Sequence, residues 1–450
     1  MYVAASVFTL ALAIANAQPA RDAAPPTTWV ISNVASYRVP PPPSASATQD
    51  EADDLKIIAN LRSDAARESV RFWDAGTPPY RWMQIAQQEV AAHGLGGPAA
   101  TRAMSLVAVA MNDATVAAWA SKDFYRRPRP PQFDSTVVPM IETPLSPSYP
   151  SEHGVVAAAA ATVLGYLFPE RKGEIDAMAS KAGFSRLYAG TEFPSDVTEG
   201  MLLGVAIADQ VIARAQRDGS DMVFYGSFPP TPGTWSSATP SFPLAGSWRP
   251  WALNSGRDIR LPAPQALDSP EMKTQIEGVK NFDRTTQRNR IALLWQPSFI
   301  DPWIDTMNQM MFERHIDKDP VLAASIYAVA MVAEHDATIA CWDTKYAYLE
   351  PRPAQVDSSI RTEFPTPPHP SFPSGHACAS GAVAGVLAGV FPDAAAQLSS
   401  RAQEAGESTF YAGIHYQNDV DQGLALGRAV AKKVLERARL SHGGSAADPR

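Results

Sequence analysis

The chain has 450 residues, a length that exceeds a single small core and favours two domains of ordinary size. Hydrophobic residues make up 45% of it and charged residues 19%, which is typical of a globular protein. The net charge of −8 leaves no basic excess to neutralise phosphates, so the composition argues against a nucleic-acid partner.

An apolar stretch over residues 1–17 opens the chain and ends in a small-x-small pattern, Ala15-Asn16-Ala17. This pattern predicts a signal peptide cleaved before Gln18, and therefore a secreted or periplasmic protein. The stretch contains no Lys or Arg, so a buried or anchoring N-terminal helix is the alternative. No other stretch approaches the ~18 to 20 unbroken apolar residues of a membrane span, so we expect none in the mature chain.

The rest of the chain contains an internal duplication. Residues 112–215 match residues 335–438 at a constant offset of 223 and without a gap. TPLSPSYPSEH at 143–153, for example, lies over TPPHPSFPSGH at 366–376. The duplication predicts two homologous domains.

Each copy has the sequence pattern of a helical bundle. The runs 104–122 and 324–345 are rich in alanine and free of Gly and Pro, which favours closely packed helices. A Pro-rich segment ends each run, and a second Ala/Val/Leu run follows. A third helix is predicted to carry the AG-x-[E/H] element and to continue beyond it. Because no alternating strand pattern of useful length occurs, the sequence predicts an all-α fold of two homologous helical bundles.

These patterns also predict the boundaries of the segments. They are a signal peptide (1–17), a flexible lead-in (18–50), an N-terminal bundle (51–216), a Pro- and Trp-rich connector (217–270), a C-terminal bundle (271–440) and a tail (441–450). The connector has two interpretations: it is a linker wrapped over the bundles, or its Trp235, Trp248 and Trp251 roof a catalytic cleft.

The C-terminal copy contains residues that suit an oxyanion site. Lys345 and Arg352 are two cations seven positions apart, and a guanidinium can bind two oxygens at once. Ser374 and Gly375 open a predicted helix, where the serine can cap and donate and the glycine lets its N–H approach an anion. His376 follows, and it suits general acid–base work.

His415 and Asp419 are four positions apart and are predicted to share one face of the third helix. A carboxylate bonded to one ring nitrogen fixes the tautomer and leaves the other nitrogen free as a nucleophile or metal ligand. The ordered set K-x6-RP, PSGH and GIH-x3-D falls within about 75 residues. Together these motifs are far more specific than any one of them alone.

The set resembles the signature of the type-2 phosphatidic acid phosphatase and vanadium haloperoxidase superfamily: K-x6-RP, PSGH and SR-x5-H-x3-D. The resemblance implies that four residues hold the phosphate or vanadate: Lys345, Arg352, Ser374 and Gly375. It implies an acid–base role for His376. His415 would be the nucleophile of a phosphatase or the axial vanadium ligand of a haloperoxidase, oriented by Asp419.

One position departs from this signature. Thr409 stands where the family has an arginine, so the third cation is missing. The loss of a charge-assisted hydrogen bond typically weakens binding roughly 10- to 150-fold. Arg401, two turns upstream, is an alternative source of the missing charge.

The first copy departs further from the signature. It keeps six of the residue types, at Lys122, Arg129, Ser151, His153, Arg186 and Asp196. Glu152 replaces the glycine, however, and Glu192 replaces the nucleophilic histidine. Two carboxylates would repel an anion, so we predict a degenerate bundle in which the cations pair with these glutamates as a structural ion network.

Three functions follow as alternatives. The first is a haloperoxidase-type enzyme, with vanadate as cofactor and peroxide and halide as substrates. The second is a phosphatase that hydrolyses phosphate monoesters through a phosphohistidine and needs no cofactor. The third is a non-catalytic anion-binding protein. The two cysteines, Cys341 and Cys378, are either one disulfide or two buried thiols.

Overall fold

The structure, a computed structural model, describes residues 27–438. Regular structure in this part of the chain is helical, apart from one isolated bridge between Phe228 and Ser237. The α-helices are α1 (Ala45–Ala59), α2 (Asp64–Trp73), α3 (Pro78–Ala92), α4 (Gly97–Tyr125), α5 (Pro130–Phe133), α6 (Glu152–Leu167), α7 (Lys172–Ala189), α8 (Pro194–Ala215), α9 (Pro270–Lys280), α10 (Thr286–Trp295), α11 (Asp301–Glu313), α12 (Pro320–Tyr348), α13 (Pro353–Val356), α14 (Gly375–Val390), α15 (Ala395–Tyr411) and α16 (Gln417–Ala438). The predicted all-α class is confirmed.

The two copies repeat helix by helix. The long helices α4 and α12 each have 29 residues, and they begin 223 positions apart, as do α5 and α13, α6 and α14, and α8 and α16. Each long helix ends in a left-handed residue, Arg126 (φ 50°) or Leu349 (φ 53°), so both copies turn into their Pro-rich segments in the same way. The predicted pair of homologous bundles is confirmed.

The element AG-x-[E/H] does not lie within a third helix, as the sequence had suggested. In each copy it forms a short connection, between α7 and α8 or between α15 and α16. Gly190 (φ 73°) and Gly413 (φ 75°) adopt the left-handed conformation that ends a helix at little steric cost. Glu192 and His415 therefore lie on loops, just before the helices that carry the aspartates of the motif.

The duplication extends further towards the N-terminus than the sequence comparison indicated. We name residues 27–44 the N-terminal strap and residues 249–269 the central strap. In the first, the Asp113 carboxylate of α4 accepts three backbone N–H groups of residues 29–31. In the second, Asp336 of α12 accepts those of residues 251–253. The second copy thus begins inside the predicted connector.

The N-terminal strap replaces part of the predicted flexible lead-in. Trp29, Ile31 and Val39 are buried in the core, and α1 begins at Ala45. From residue 27 onward this segment is therefore packed, because it covers the apolar face of α4 and supplies the donors that Asp113 needs. The predicted signal peptide (1–17) and tail (441–450) lie outside the described residues.

The aromatic residues of the connector pack against the long helices. The backbone N–H of Trp235 donates to the Leu349 carbonyl at 2.6 Å, and the indole N–H of Trp251 donates to Ser105 Oγ at 3.1 Å. The Trp248 ring lies 6.3 Å from the His335 ring, between centroids. All three tryptophans are buried. These are the contacts of a segment wrapped over α4 and α12.

One hydrophobic core runs through both bundles, with α4 and α12 packed against each other at its centre. Polar contacts cross this interface, since Thr101 Oγ1 lies 3.1 Å from His335 Nδ1 and Ser325 donates to Asn112 at 3.1 Å. By length and composition, the helical stretch Gly97–Phe133 is apolar enough to cross a membrane. Its most apolar window is 89% buried inside the fold, as in the core helix of a globular protein.

Candidate functional site

Four chain segments bring the predicted oxyanion-binding residues of the second copy together. Lys345 lies in the last turn of α12, and the left-handed Leu349 then turns the chain so that Arg352 precedes α13. Ser374 is the N-cap of α14, where its Oγ accepts the N–H of Ala377. The loop between α15 and α16 supplies the histidine of the motif.

His415 is held as a neutral imidazole. Its Nδ1 lies 2.8 Å from Asp419 Oδ2, and its Nε2 lies 2.8 Å from Nη1 of Arg352. Because a guanidinium can only donate, Nε2 must carry the lone pair and Nδ1 the proton. Burial, followed by the nearby charges of Arg352 and Lys345, holds the pKa of His415 well below its usual range. The imidazole is thus prepared to act as a nucleophile or ligand through Nε2.

The two cations of the second copy are buried without carboxylate partners of their own. Lys345 donates from Nζ to the carbonyls of Pro370 and Ser371, at 2.9 and 2.8 Å, and to a third carbonyl. Arg352 donates to the carbonyls of His369 and Ile414 at 3.0 and 2.7 Å. Burial lowers the pKa of Lys345 to about 8 and that of Arg352 to about 10. In both cases burial outweighs the nearby charge of Asp419, which opposes the shift.

The start of α14 packs closely against an aromatic ring. A Cβ on Gly375 would lie 3.3 Å from the ring of Trp342, so a larger residue would crowd this position. The Ser374 hydroxyl lies 3.1 Å from Oγ1 of Thr409, which occupies the position of the family arginine. Thr409 is buried and donates to the Gly406 carbonyl at 2.7 Å.

Arg401 does not replace the missing arginine. Its guanidinium donates to the Pro302 carbonyl at 3.1 Å and lies over the rings of Trp295 and Trp303. It therefore packs on the side of α15 that faces α10 and α11. The alternative that Arg401 supplies the third cation is wrong.

His376 follows the oxyanion-binding residues in sequence, and its side chain is hydrogen-bonded to α10. Its Nε2 lies 3.0 Å from the carbonyl oxygen of Trp295, and the Phe299 ring meets it edge-on at 5.1 Å between centroids. Since a carbonyl only accepts, Nε2 carries a proton. Burial lowers the pKa of His376 to about 4. The predicted acid–base role would therefore rest on a neutral imidazole.

Sequence reasoning missed two aromatic residues at this site. His369 Nδ1 lies 3.0 Å from Nη2 of Arg352, and its ring contacts that of Trp342 at 5.0 Å between centroids. Burial, then Arg352 and Lys345, lowers the pKa of His369 well below its usual range. The duplication could have indicated His369, because the aligned residue of the first copy is Ser146 and the histidine occurs only in the second copy.

The first copy fills the equivalent place with its own carboxylates. Glu152 lies 2.7 Å from Lys122 and 2.9 Å from Arg129, and Glu192 lies 3.4 Å from Arg129. Although burial opposes it, Lys122 and Arg129 lower the pKa of Glu152. Burial and the charge of Glu152 raise the pKa of Glu192 to about 7. The predicted ion network between these residues is confirmed.

Ligand atoms of Glu152, His153 and Glu192 lie within 4.8 Å of one another, an arrangement that could in principle hold a metal ion. A divalent cation there would stand beside Lys122 and Arg129, which already neutralise these carboxylates. The repulsion is strong in a buried site. We therefore assign no metal to the first copy.

The two cysteines are buried free thiols on α12 and α14. The Sγ atom of Cys341 lies 3.7 Å from the Pro373 carbonyl oxygen, to which Lys345 also donates. Burial raises the pKa of Cys378 well above its usual range, with the neighbouring Cys341 as a further cause. Of the two alternatives, the structure has the reduced form.

Comparisons with known proteins agree with this arrangement. The sequence profile of the PAP2 superfamily matches residues 102–218 and 321–438, more than half of the chain. No significant match was found among curated proteins.

Among solved structures, the chain is similar to a bacterial vanadium-dependent iodoperoxidase, with 22% identity and a TM-score of 0.64 over 82% of this chain and 98% of that one. It is also similar to a bacterial vanadium-dependent chloroperoxidase in its holo form, with 13% identity and a TM-score of 0.56 over 77% and 93%. The apo form gives 12% identity and a TM-score of 0.57 over 77% and 94%. At these identities the likeness shows the fold.

The ion network of the first copy predicts a large loss of stability when its central carboxylate is neutralised. Glu152→Gln leaves two buried cations short of a partner and should lower the free energy of unfolding by about 3–5 kcal/mol. Denaturant unfolding measures this change. The control is Glu174→Gln, which removes an exposed ion pair with Arg171 and should alter stability little. Equal effects of the two substitutions on the free energy of unfolding would contradict a stabilising ion network in the first copy.

Proposed function

Because the chain belongs to the PAP2 superfamily, we propose that its second copy is the active site of an oxyanion-dependent enzyme of the vanadium haloperoxidase type. One observation carries this proposal. The second copy buries two cations beside a neutral histidine whose Nε2 bears a lone pair, whereas the first copy neutralises the equivalent cations with glutamates. Only the second copy thus has both the charge and the ligand atom for an added anion.

The donor set of the second copy fits a tetrahedral oxyanion. Lys345 and Arg352 supply positive charge, Ser374 supplies a hydroxyl, and the N–H of Gly375 lies at a helix N-terminus. Nε2 of His415 would be the ring atom that holds the anion. Vanadate, when bound, would supply the activation of peroxide for halide oxidation.

The residues of the chain then have distinct tasks. Asp419 keeps the proton on Nδ1 of His415, so that Nε2 faces the anion as a lone pair. Arg352, which now donates to Nε2, is within reach of oxygens bound at the same place. We propose that His376 exchanges protons with the substrate, which requires its neutral form at the pH of the reaction.

The architecture supports a haloperoxidase-type reaction. The iodoperoxidase and the holo chloroperoxidase are named as vanadium-dependent, and the likeness covers 98% and 93% of their chains, including both bundles. A phosphatase that works through a phosphohistidine is the second candidate. Thr409 keeps this candidate open, because the lack of a third cation weakens the retention of vanadate. A non-catalytic anion-binding protein is the third.

We also propose that the chain is exported, on the strength of the apolar stretch over residues 1–17 and its small-x-small end. Mass spectrometry of the N-terminal peptide from the exported fraction tests this. We expect a chain that begins at Gln18, and an exported protein that retains Met1 would contradict cleavage at this position.

The reaction is tested with the full mature protein in two parallel assays. We expect bromide oxidation by hydrogen peroxide to depend on added orthovanadate, and p-nitrophenyl phosphate hydrolysis to be much slower. His415→Ala should abolish the activity because it removes the ligand or nucleophile. Glu192→Gln, its counterpart in the first copy, should retain most of it. Vanadate-independent phosphate ester hydrolysis as the main activity would support the second candidate instead.

The missing cation predicts a gain-of-affinity variant. Thr409→Arg should bind orthovanadate roughly 10- to 150-fold more tightly, because a guanidinium adds a charge-assisted hydrogen bond. The fold accommodates such a residue, since Arg186 is buried at the same position of the first copy, where it pairs with Asp74 at 2.8 Å. In the second copy the position of Asp74 is taken by Gln296, at the end of α10. Gln296 is uncharged, so it would not draw the new guanidinium away from the anion. Isothermal titration measures the affinity, with Thr409→Val as control. Unchanged affinity in a folded Thr409→Arg would refute the role given to this position.

A further inference from the structure

Two carboxyl oxygens near the His415–Asp419 pair are buried without a hydrogen-bond partner. One is Oδ1 of Asp419, and the other is Oε2 of Glu350. The two side chains lie within hydrogen-bond reach of each other, and both residues are buried, Glu350 with 5% of its surface exposed. Two ionised carboxylates in such a contact would repel strongly. The contact is favourable only if one proton lies between them.

The two oxygens of Asp419 have different surroundings. Oδ2 accepts three donors: His415 Nδ1 at 2.8 Å, Ser371 Oγ at 2.6 Å and the Tyr416 backbone N–H at 3.1 Å. Oδ1 is buried without a hydrogen-bond partner, and the Glu350 side chain lies within hydrogen-bond reach of this carboxylate. The oxygen that binds the histidine thus already has its hydrogen-bond donors. Whether Oδ1 also receives a donor depends on Glu350.

The first copy provides a natural comparison at the same position. Arg127 stands where the second copy has Glu350, and its Nη1 donates to Oδ1 of Asp196 at 2.7 Å. The backbone of the two positions is the same, since the Arg127 carbonyl accepts from Ser148 and the Glu350 carbonyl from Ser371. The outer oxygen of the aspartate therefore receives a donor in both copies if Glu350 carries a proton.

The charges around Glu350 agree with a neutral side chain. Burial and the charge of Asp419 raise the pKa of Glu350 well above its usual range, against the opposing effects of Lys345 and Arg352. Tyr416 is a further titratable neighbour, and burial, then Glu350 and Asp419, raise its pKa. An ionised Glu350 would also add a negative charge beside the two cations that are to attract an oxyanion.

We propose that Glu350 is a positioning residue of the second copy, which donates its carboxyl O–H to Oδ1 of Asp419 and so fixes the carboxylate that orients His415. This proposal deepens the proposed function, since it concerns the same site. A neutral Glu350 leaves the net positive charge of the anion pocket intact. It touches neither the anion nor the reacting atoms.

The test uses the unliganded full chain, so that its outcome does not depend on turnover. Infrared difference spectra of wild type against Glu350→Gln should contain the carbonyl stretch of a protonated carboxylic acid at neutral pH, because only the wild type has this group. Absence of that band would overturn the proposal. This readout needs no anion, and it therefore separates the proposal from the assignment of the reaction.

A second measurement follows the consequence for the histidine. ¹⁵N NMR of the His415 ring should report the Nδ1–H tautomer in wild type and in Glu350→Gln, whose amide N–H replaces the lost donor. Glu350→Leu should populate a second state and bind inorganic phosphate about tenfold more weakly, because Oδ1 is left unpaired. Wild-type tautomer and affinity in a folded Glu350→Leu would contradict the role. If Glu350→Leu does not fold, Glu350→Gln still decides, since it must keep phosphate affinity within about threefold.

Discussion

A lysine and an arginine are fully buried in each half of this protein, and each pair needs compensating negative charge or dipoles because water cannot solvate it there. The two copies meet this requirement differently. In the first, Glu152 and Glu192 raise the pKa of Arg129 in spite of its burial. In the second, the partners are carbonyls and imidazoles, and burial lowers the pKa of Arg352. The first copy is thus closed by its own glutamates, and the second is the one in which we propose that an external anion binds.

The same backbone supports both ways of compensating the buried cations, because the contacts that fix the straps and the helix ends are the same in the two copies. Asp113 and Asp336 fix equivalent straps over the long helices, and left-handed residues turn both copies into their Pro-rich segments. The chemistry then differs by few side chains. Glycine replaces glutamate at 375, histidine replaces glutamate at 415 and glutamate replaces arginine at 350. One core thus contains an internal ion network in the first copy and the proposed oxyanion site in the second.

The sequence predicted the helical class, the duplication and the residues that converge on the site. These predictions follow from hydrophobic periodicity and from a repeat with a constant offset, and both can be read from the sequence without knowing which residues are in contact. The straps were not predicted, since their repeat is shifted by one position and shares few residues beyond the tryptophans, Trp29 and Trp251. The loop position of His415 depends on the positive φ of Gly413, which spacing alone does not reveal.

Other features of the site depend on burial and on contacts distant in sequence. Arg401 was a reasonable source of charge by spacing, but its side chain packs on two tryptophans of other helices. The contact between Glu350 and Asp419 joins positions that carry no pattern of their own. The gap-free alignment pairs Arg127 with Glu350, but only the structure shows that both side chains contact the aspartate of their own copy.

The central claim is that one copy binds an oxyanion and the other is occupied by its own glutamates. Calorimetric titration of the full chain with orthovanadate tests it most directly, because the stoichiometry counts the sites. The account predicts one site per chain, which is lost in Arg352→Gln and kept in Glu192→Gln. Two sites per chain, or one site that survives Arg352→Gln in a folded protein, would contradict it.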